Sequence, residues 1–501
     1  MPDRRTRGPS APPADFALPP GSLPPLFGAS RIAGVPCLSA RWTAESLGDL
    51  AAVLARGAAD LRGVADETLL DAWSDTVEAF LDPDGPERQE LAAALEVSSA
   101  LSPSGLTAAL EAVLGGVRRP AAGAMLLRAA ALRDHASRTA AVSAVSAASA
   151  VGAAAAAGAE PPPAPPPTMP PVPPAPPVLV ILASNLPALA VQPLLPCLAL
   201  RRPVLLKSPS AEPLFAPAFV AALTRREPRL GAALAAVTWP GGHPALEAPV
   251  LAAAGTVLAY GSADAMADLE RRAPGKVVAY GPKTSIAVVD LEGEEEEGSL
   301  AARDVAAALG RSIAPDLARG VAAGLARDIA RFDQRGCLSV AAVYVRGGLA
   351  AALRLAACLE TALGALAAVW LPGPAAAAAL VQVQHARLET ELRGLPRPRL
   401  PITAGTVLVE PEPAFRPSPG LRTVRVHPVP DLDRLPAILE PWRGKLQGAA
   451  LAGSAAWRLA PRLADLGISR LTAPGDLQSP DAAWHNGGVD PLEALSRSVE
   501  L

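Results

Sequence analysis

Aromatic side chains make up only 3% of this 501-residue sequence, and its formal net charge is only −3. The first shortage leaves few flat faces for stacking bases. The second gives no electrostatic pull on a polyanion. Together they argue against a nucleic-acid partner. Cysteine is scarce as well: Cys37, Cys197, Cys337 and Cys358 stand far apart, form no CxxC pair, and share the chain with five scattered histidines. That excludes a zinc-binding pattern and a disulfide framework, and it predicts a protein of the reducing cytoplasm. Lysine occurs four times, as Lys207, Lys276, Lys283 and Lys445, while arginine supplies the other 41 basic residues. No integral membrane span is expected. "AAVSAVSAASAVGAAAAAGA" (140–159) lacks the Leu, Ile and Phe that drive insertion, and "VLVILASNLPALAVQPLLPCLAL" (178–200) is interrupted by Asn185, Gln192 and three prolines. The basic N-terminus is followed by no apolar run, so a secretory signal is not expected either.

What the sequence has is apolar content, at 50%, and 56 prolines. The length suits two or three domains. Residues 1–30 are Pro-rich and read as a loose arm. Residues 44–135 carry helical spacing, with Leu47, Leu50, Leu54 and Leu61 on one side, and an Ala-rich helix should follow. It must stop at "PPPAPPPTMPPVPPAPP" (161–177), where 12 of 17 residues are proline; this reads as a semi-rigid linker or surface loop.

From 178 the texture changes. "VLVILAS" and "RPVLLKS" are apolar runs suited to strands buried on both faces. "EPLFAPAFVAALTRR" (212–226) reads as a helix, and "LAAVTWP", "GTVLAYGS", "GKVVAYGP" and "SIAVVD" as further short strands. Alternation of strands and helices predicts a parallel α/β sheet whose ligands bind at the carboxyl ends of the strands. An acidic spacer, "EGEEEEG", helices, and the strand "SVAAVYV" (339–345) follow.

Cys337 lies in "FDQRGCLSV", behind Gln334, Arg335 and Gly336, between a helix and a strand. Polar and flexible neighbours suit a reactive thiol, with Gly336 allowing close approach to the backbone; the plain alternative is a buried small hydrophobe. Cys197 and Cys358 sit in apolar helical runs and read as core. Asn185 follows the strand "VLVILAS", where its amide either donates to an oxyanion or forms a turn before Leu186-Pro187. Lys207, Gly261-Ser262 and Gly281-Pro282-Lys283 also stand at strand ends, and Ser210 is a plausible N-cap for the helix at 212.

This ordered set, Asn185, Lys207-Ser208-Pro209-Ser210, Gly261-Ser262, Gly281-Pro282-Lys283 and Gln334…Cys337, resembles the aldehyde dehydrogenase superfamily. "FDQRGCLSV", "GPKTSIAVVD" and "RLTAPGDLQSPDAAWHNGG" bring it closer to the LuxC-like acyl-CoA reductases, over roughly residues 178–490. The resemblance implies an aldehyde dehydrogenase-like α/β fold, with a doubly wound cofactor-binding domain and an α/β catalytic domain. It divides the chain into an N-terminal arm with the helical part of the cofactor domain (1–160), the linker (161–177), a dinucleotide-binding domain (178–290), a catalytic domain with Cys337 (291–440) and a C-terminal segment closing the fold (441–501).

It also implies a reaction. Cys337 would attack an acyl thioester, from acyl-CoA or from an acyl-carrier or acyl-protein donor, and expel the carrier thiol. NADPH would then reduce the acyl-cysteine to the aldehyde. Asn185 and the Cys337 N–H would hold the oxyanion, while Lys207, Ser208, Ser210, Gly261, Ser262 and Gly281 would bind the cofactor. Two departures sharpen this. Relatives that hydrolyse the acyl-enzyme carry a glutamate where Ala279 stands, so the acyl group should await reduction. NAD-using relatives often carry a glutamate where Ser210 stands, which favours NADPH, although Glu212 is close. The polyproline stretch occupies the place of the family's oligomerisation hairpin, leaving a homo-oligomer open. A short-chain CoA-acylating dehydrogenase using NAD, and an inactive scaffold of the same fold, remain as rival readings.

Overall fold

A computed structural model describes residues 12–32, 34–135, 175–291 and 313–496. The expected Ala-rich helix beyond 135, the proline stretch up to 174 and the acidic spacer lie outside the described residues.

The chain opens with an antiparallel hairpin, β1 (Phe27–Ile32) and β2 (Val35–Ala40). Helices Ala44–Arg62, Asp66–Leu81, Pro86–Ser99, Pro103–Gly115 and a further helix over 119–135 follow. Leu47, Leu50, Leu54 and Leu61 all turn inward on the first of these, as their spacing requires. The arm is less loose than its prolines suggest. Ala17 exchanges two backbone hydrogen bonds with Ala236 (2.7 and 2.9 Å), so the arm from residue 12 onward covers a sheet edge that would otherwise be open.

Five parallel strands form the first sheet: β3 (Val178–Ile181), β4 (Val204–Ser208), β5 (Leu234–Thr238), β6 (Thr256–Tyr260) and β7 (Val277–Tyr280), in the order β5-β4-β3-β6-β7. The apolar runs of β3 and β4 are buried along almost their whole length, because crossover helices cover both faces. The chain winds outward from β3 to β5, then returns to β6 on the other side. That reversal opens a crevice at the carboxyl ends of β3 and β6. The segment 178–200 is thus strand, loop and helix (Val191–Ala199).

The second sheet is also parallel, with β8 (Thr284–Val289), β9 (Val340–Arg346), β10 (Thr406–Val409), β11 (Thr423–Val429), β12 (Leu446–Ala452) and β13 (Arg470–Thr472) in the order β10-β11-β9-β8-β12-β13. This corrects two expected boundaries. "SIAVVD" is β8 and belongs to the second sheet, so the first sheet ends at Tyr280, not at 290. The reason is loop length: only 281–283 separate β7 from β8, far too short for the crossover that a parallel neighbour in the same sheet needs. The C-terminal segment, expected as a separate piece from 441, contributes β12 and β13 to the second sheet. Its last helix, Pro491–Ser496, returns to the first core through Leu492 and Leu495.

The helix Leu349–Val369 is long and apolar enough to cross a membrane. It lies on the second sheet instead, with Leu355, Leu359 and Leu363 fully buried in that sheet's core.

The N-terminal helices and the first sheet share one core. Trp73 packs edge-on against Phe219 at 5.3 Å, and Phe80 contacts Phe215 and Phe219. Trp73 is fully buried, and its Nε1–H donates to the Val117 carbonyl at 2.8 Å. Trp73→Phe keeps a ring but orphans that carbonyl. It should lower the unfolding free energy by about 1–3 kcal/mol, read as a lower urea midpoint at unchanged slope.

Candidate active site

The helix Ile313–Ala330 gives way to a single 3-10 turn, Arg331–Gln334, which leads through Arg335 and Gly336 to Cys337. Phe332, Asp333 and Gln334 then adopt positive φ in succession (57°, 49° and 64°), a conformation that costs a non-glycine residue on the order of 1–3 kcal/mol. Each is held from outside. Phe332 is buried. The Asp333 carboxylate accepts from Arg422 Nε at 2.8 Å and from the Gly373 N–H at 3.0 Å. The Gln334 amide donates to the carbonyls of Val340 (2.8 Å) and Thr423 (2.6 Å) and accepts from the Thr423 N–H (2.8 Å). Arg335 donates to the Ser99 carbonyl at 2.6 Å, tying the loop to the N-terminal helices.

Gly336 lines the cleft, and its missing side chain also makes room for a neighbour. A Cβ there would lie 2.9 Å from Gln478 Oε1, so the glycine admits Gln478, which also accepts from Ser339 Oγ at 3.0 Å. Ser285 Oγ on β8 donates to the Cys337 carbonyl at 2.8 Å and fixes the other side of the loop.

Cys337 opens into a cleft of about 880 Å³ between the two sheets. Asn185, Lys207, Ser210, Gly261, Ser262, Gly281 and Cys337 all line it, although up to 152 residues separate Asn185 from Cys337 along the chain. Asn185 Nδ2 donates to the Arg335 carbonyl at 3.0 Å, so it sits against the cysteine loop and retains a second N–H. Ser208 is the exception. Strand alternation turns it away from the face Lys207 uses, and it is fully buried with its hydroxyl unpartnered among the described residues. Ser210 is not the N-cap: the helix begins at Phe215, and buried Glu212 accepts from the Leu214 and Phe215 N–H groups (3.1 and 3.0 Å). Ser262 does cap its helix, accepting from the Ala265 N–H at 3.3 Å.

Burial pushes the Cys337 thiol up to about 11, against the pull of its own backbone N–H, of Lys283 and of the Leu338 N–H. Burial lowers Lys283 and Lys207. Glu212 is raised to about 7 by burial. Cys197, fully buried, is raised to about 12 for the same reason. Cys358 is half-buried on its helix, and Cys37 is buried in β2.

Several cleft residues were not foreseen as site residues. Lys283 and Lys445 join Lys207 and Arg335 on its wall, and Tyr260 and Tyr280 stack at 4.6 Å. Three of the four lysines and two of the three tyrosines therefore face one cleft, a bias for which lysine rarity was the available signal. Among the described residues no Asp or Glu lines it. A donor set of ammonium groups, hydroxyls and amides without carboxylates fits a phosphate-bearing dinucleotide. Space is available too: a Cβ on Gly281 would meet nothing within 4 Å. No group of three or more metal-ligating side chains occurs among the described residues.

Residues 171–498 match the family model described as acyl-CoA reductase (LuxC). Among solved structures the fold is similar to aldehyde dehydrogenase 21 from Physcomitrella patens, at 11% identity and a TM-score of 0.65, covering 98% of this chain and 97% of that one. It is also similar to a salicylaldehyde dehydrogenase from Pseudomonas putida G7, at 11% identity and a TM-score of 0.64, covering 96% and 93%. Aldehyde dehydrogenase C from Pseudomonas syringae follows at 14% identity and a TM-score of 0.59, covering 94% and 90%. No curated protein matches the chain.

Only a thiolate alkylates rapidly, and burial pushes the Cys337 thiol up to about 11. Its alkylation by iodoacetamide, followed by peptide mass, should therefore rise about tenfold per pH unit across the neutral range. A plateau reached below neutrality would contradict this environment.

Proposed function

The chain belongs to the LuxC acyl-CoA reductase family, and from that premise we propose that it reduces a fatty acyl thioester to the aldehyde with NADPH, holding the acyl group on Cys337. The observation that carries this reading is a cleft in which Cys337 and Asn185 meet the strand ends of the doubly wound sheet among four basic side chains and, among the described residues, no carboxylate.

The chemistry follows from that wall. The Cys337 thiolate adds to the thioester carbonyl, the bond to the carrier sulfur breaks, and the carrier leaves as a thiolate that takes up a proton. The carbonyl oxygen, which gains charge, is met by the free N–H of Asn185 and the backbone N–H of Cys337. With Ala279 in place of a base and no carboxylate on the wall among the described residues, water is not activated and the acyl group persists. A bound nicotinamide supplies the hydride that carries the acyl group to the aldehyde level. Lys207, Ser210, Gly261, Ser262 and Gly281 would hold that cofactor. The donor is either acyl-CoA or an acyl-protein; both carry the thioester that Cys337 requires. Four unpaired cysteines suit a cytoplasmic setting.

The NAD-using alternative needs a carboxylate for the ribose hydroxyls. Glu212 is buried, accepts from the Leu214 and Phe215 N–H groups at the start of the helix Phe215–Arg226 and does not line the cleft. NADPH selection then rests on Ser210 and Lys207. Glu212 already occupies two N–H groups of that helix, so the helix terminus contributes less to a 2′-phosphate than a free one would.

Mixing with acyl-CoA in the absence of cofactor should give a stable one-acyl adduct that maps to Cys337. Asn185→Ala should lower turnover by roughly 10²–10³-fold with little change in cofactor affinity. An adduct on another cysteine, or prompt release of free acid, would refute the mechanism; absence of any adduct or turnover would favour a scaffold.

Cofactor choice is tested separately. Ser210→Glu should weaken NADPH by on the order of 1–3 kcal/mol and spare NADH. A native preference for NADH, or an unchanged ratio in the variant, would refute the assignment of Ser210.

A further inference from the structure

We propose that Arg335 is a positioning residue for the oxyanion donor: its guanidinium holds in place the main-chain carbonyl that aims the Asn185 amide. The proposal rests on Cys337 as nucleophile and Asn185 as donor. One Asn185 N–H is taken by the Arg335 carbonyl at 3.0 Å. The direction of that carbonyl therefore sets the direction of the second N–H, because both N–H groups lie in one rigid amide plane. Asn185, Arg335 and Cys337 line the same cleft.

The Arg335 side chain fixes the peptide from which that carbonyl projects. Its Nε and its backbone N–H both donate to the Phe332 carbonyl, each at 3.1 Å, which closes the loop into a tight turn. The far end of the guanidinium donates to the carbonyls of Ser99 (2.6 Å) and Ala100 (3.3 Å). These stand at the C-terminus of the helix Pro86–Ser99, where carbonyls lack partners within the helix and the dipole favours a cation. That helix has no basic residue of its own in its last turn, so Arg335 supplies the charge. The acceptors are held from behind as well. Gly373 packs so closely that any Cβ there would collide with the Ala100 carbonyl, and the Leu371 N–H donates to Ser104 Oγ at 3.0 Å. Ser99 and Ala100 precede the stretch 171–498 that matches the family model. The N-terminal helices thereby act on the reaction through one side chain of the cysteine loop.

The cysteine itself is held by other contacts. Asp333 is taken up by Arg422 and the Gly373 N–H, Gln334 by Val340 and Thr423, and the Cys337 carbonyl by Ser285 Oγ. Loss of the Arg335 side chain should leave Cys337 in place and release the peptide that aims Asn185.

Two probes separate these effects. 4-Nitrophenyl acetate acylates a thiolate through a tetrahedral oxyanion and needs neither acyl-CoA nor cofactor. Iodoacetamide alkylates the same thiolate by displacement at carbon, and no oxyanion forms. Both reactions are followed at Cys337 by peptide mass. Arg335→Met should slow ester acylation roughly 10–100-fold, the scale of a misplaced catalytic group, and leave alkylation within about threefold of the native rate. Asn185→Ala should slow ester acylation by roughly 10²–10³-fold. Adding Arg335→Met to it should cost no more than about threefold further, because both changes remove one effect. Arg335→Lys keeps one donor for the Ser99 carbonyl and should lose less than Arg335→Met; it carries the same cycle if the methionine variant does not fold.

Alkylation slowed as much as acylation, or losses that multiply in the double variant, overturns the proposal. So does a native ester rate in folded Arg335→Met or in Asn185→Ala. With acyl-CoA as donor the loss should fall on the maximal rate of acylation; a loss confined to the half-saturating concentration would make Arg335 a ligand contact and overturn the proposal as well. Ester results as expected, together with no acylation of native Cys337 by acyl-CoA, would uphold the positioning role and remove the acyl-CoA reading instead.

Discussion

The site depends on the Asp333–Arg422 pair. Both residues are nearly or fully buried, the contact is 2.7 Å, and both have backbones at positive φ. A left-handed run of three non-glycine residues is not self-supporting, because each gives up the broader wells of extended or helical backbone. It persists because the Asp333 side chain, once buried, is stable only where Arg422 and the Gly373 N–H meet it. Gln334 adds a second clamp on Thr423, next to Arg422. The helix leading to the cysteine is thereby turned so that Cys337 faces the other sheet.

The same loop gathers distant parts of the chain. Arg335 reaches Ser99 and Ala100, Arg422 reaches the Trp370 carbonyl, and Gln478 fills the space that Gly336 leaves open. These contacts bring the N-terminal helices, the helix Leu349–Val369 and the C-terminal segment onto one short stretch. The cleft exists because the short turn at 281–283 sends β8 into a second sheet, whose cysteine loop then stands opposite the strand ends of the first.

Electrostatics follow from this assembly rather than from overall charge. The chain carries a net −3, yet its cleft holds Lys207, Lys283, Lys445 and Arg335 and no carboxylate among the described residues. A field of that sign inside a concave wall concentrates phosphate-bearing ligands better than the same charges spread over the surface. The missing carboxylate matters as much as the lysines. A group able to activate water would destroy the acyl-cysteine proposed above, whereas amides, hydroxyls and ammonium groups would leave it intact.

Much of this was legible in the sequence. The runs at 178, 204, 234 and 256 announce buried parallel strands because short apolar, β-branched segments have few other stable uses. The loop residues at their ends mark the crevice, and "FDQRGCLSV" stands out because polar and glycine neighbours are unusual for a core cysteine. What the sequence by itself determined were the local elements, the strand-end positions and the identity of the nucleophile candidate. Tertiary structure alone decided which sheet "SIAVVD" joins, that Ser208 points inward while Lys207 points to the cleft, that Glu212 rather than Ser210 accepts from the N–H groups where the helix begins, and that Lys283 and Cys337 line one cleft. These are questions of register, side-chain direction and long-range contact. They depend on where segments separated by dozens to hundreds of residues come to rest, and periodicity along one stretch carries no record of that.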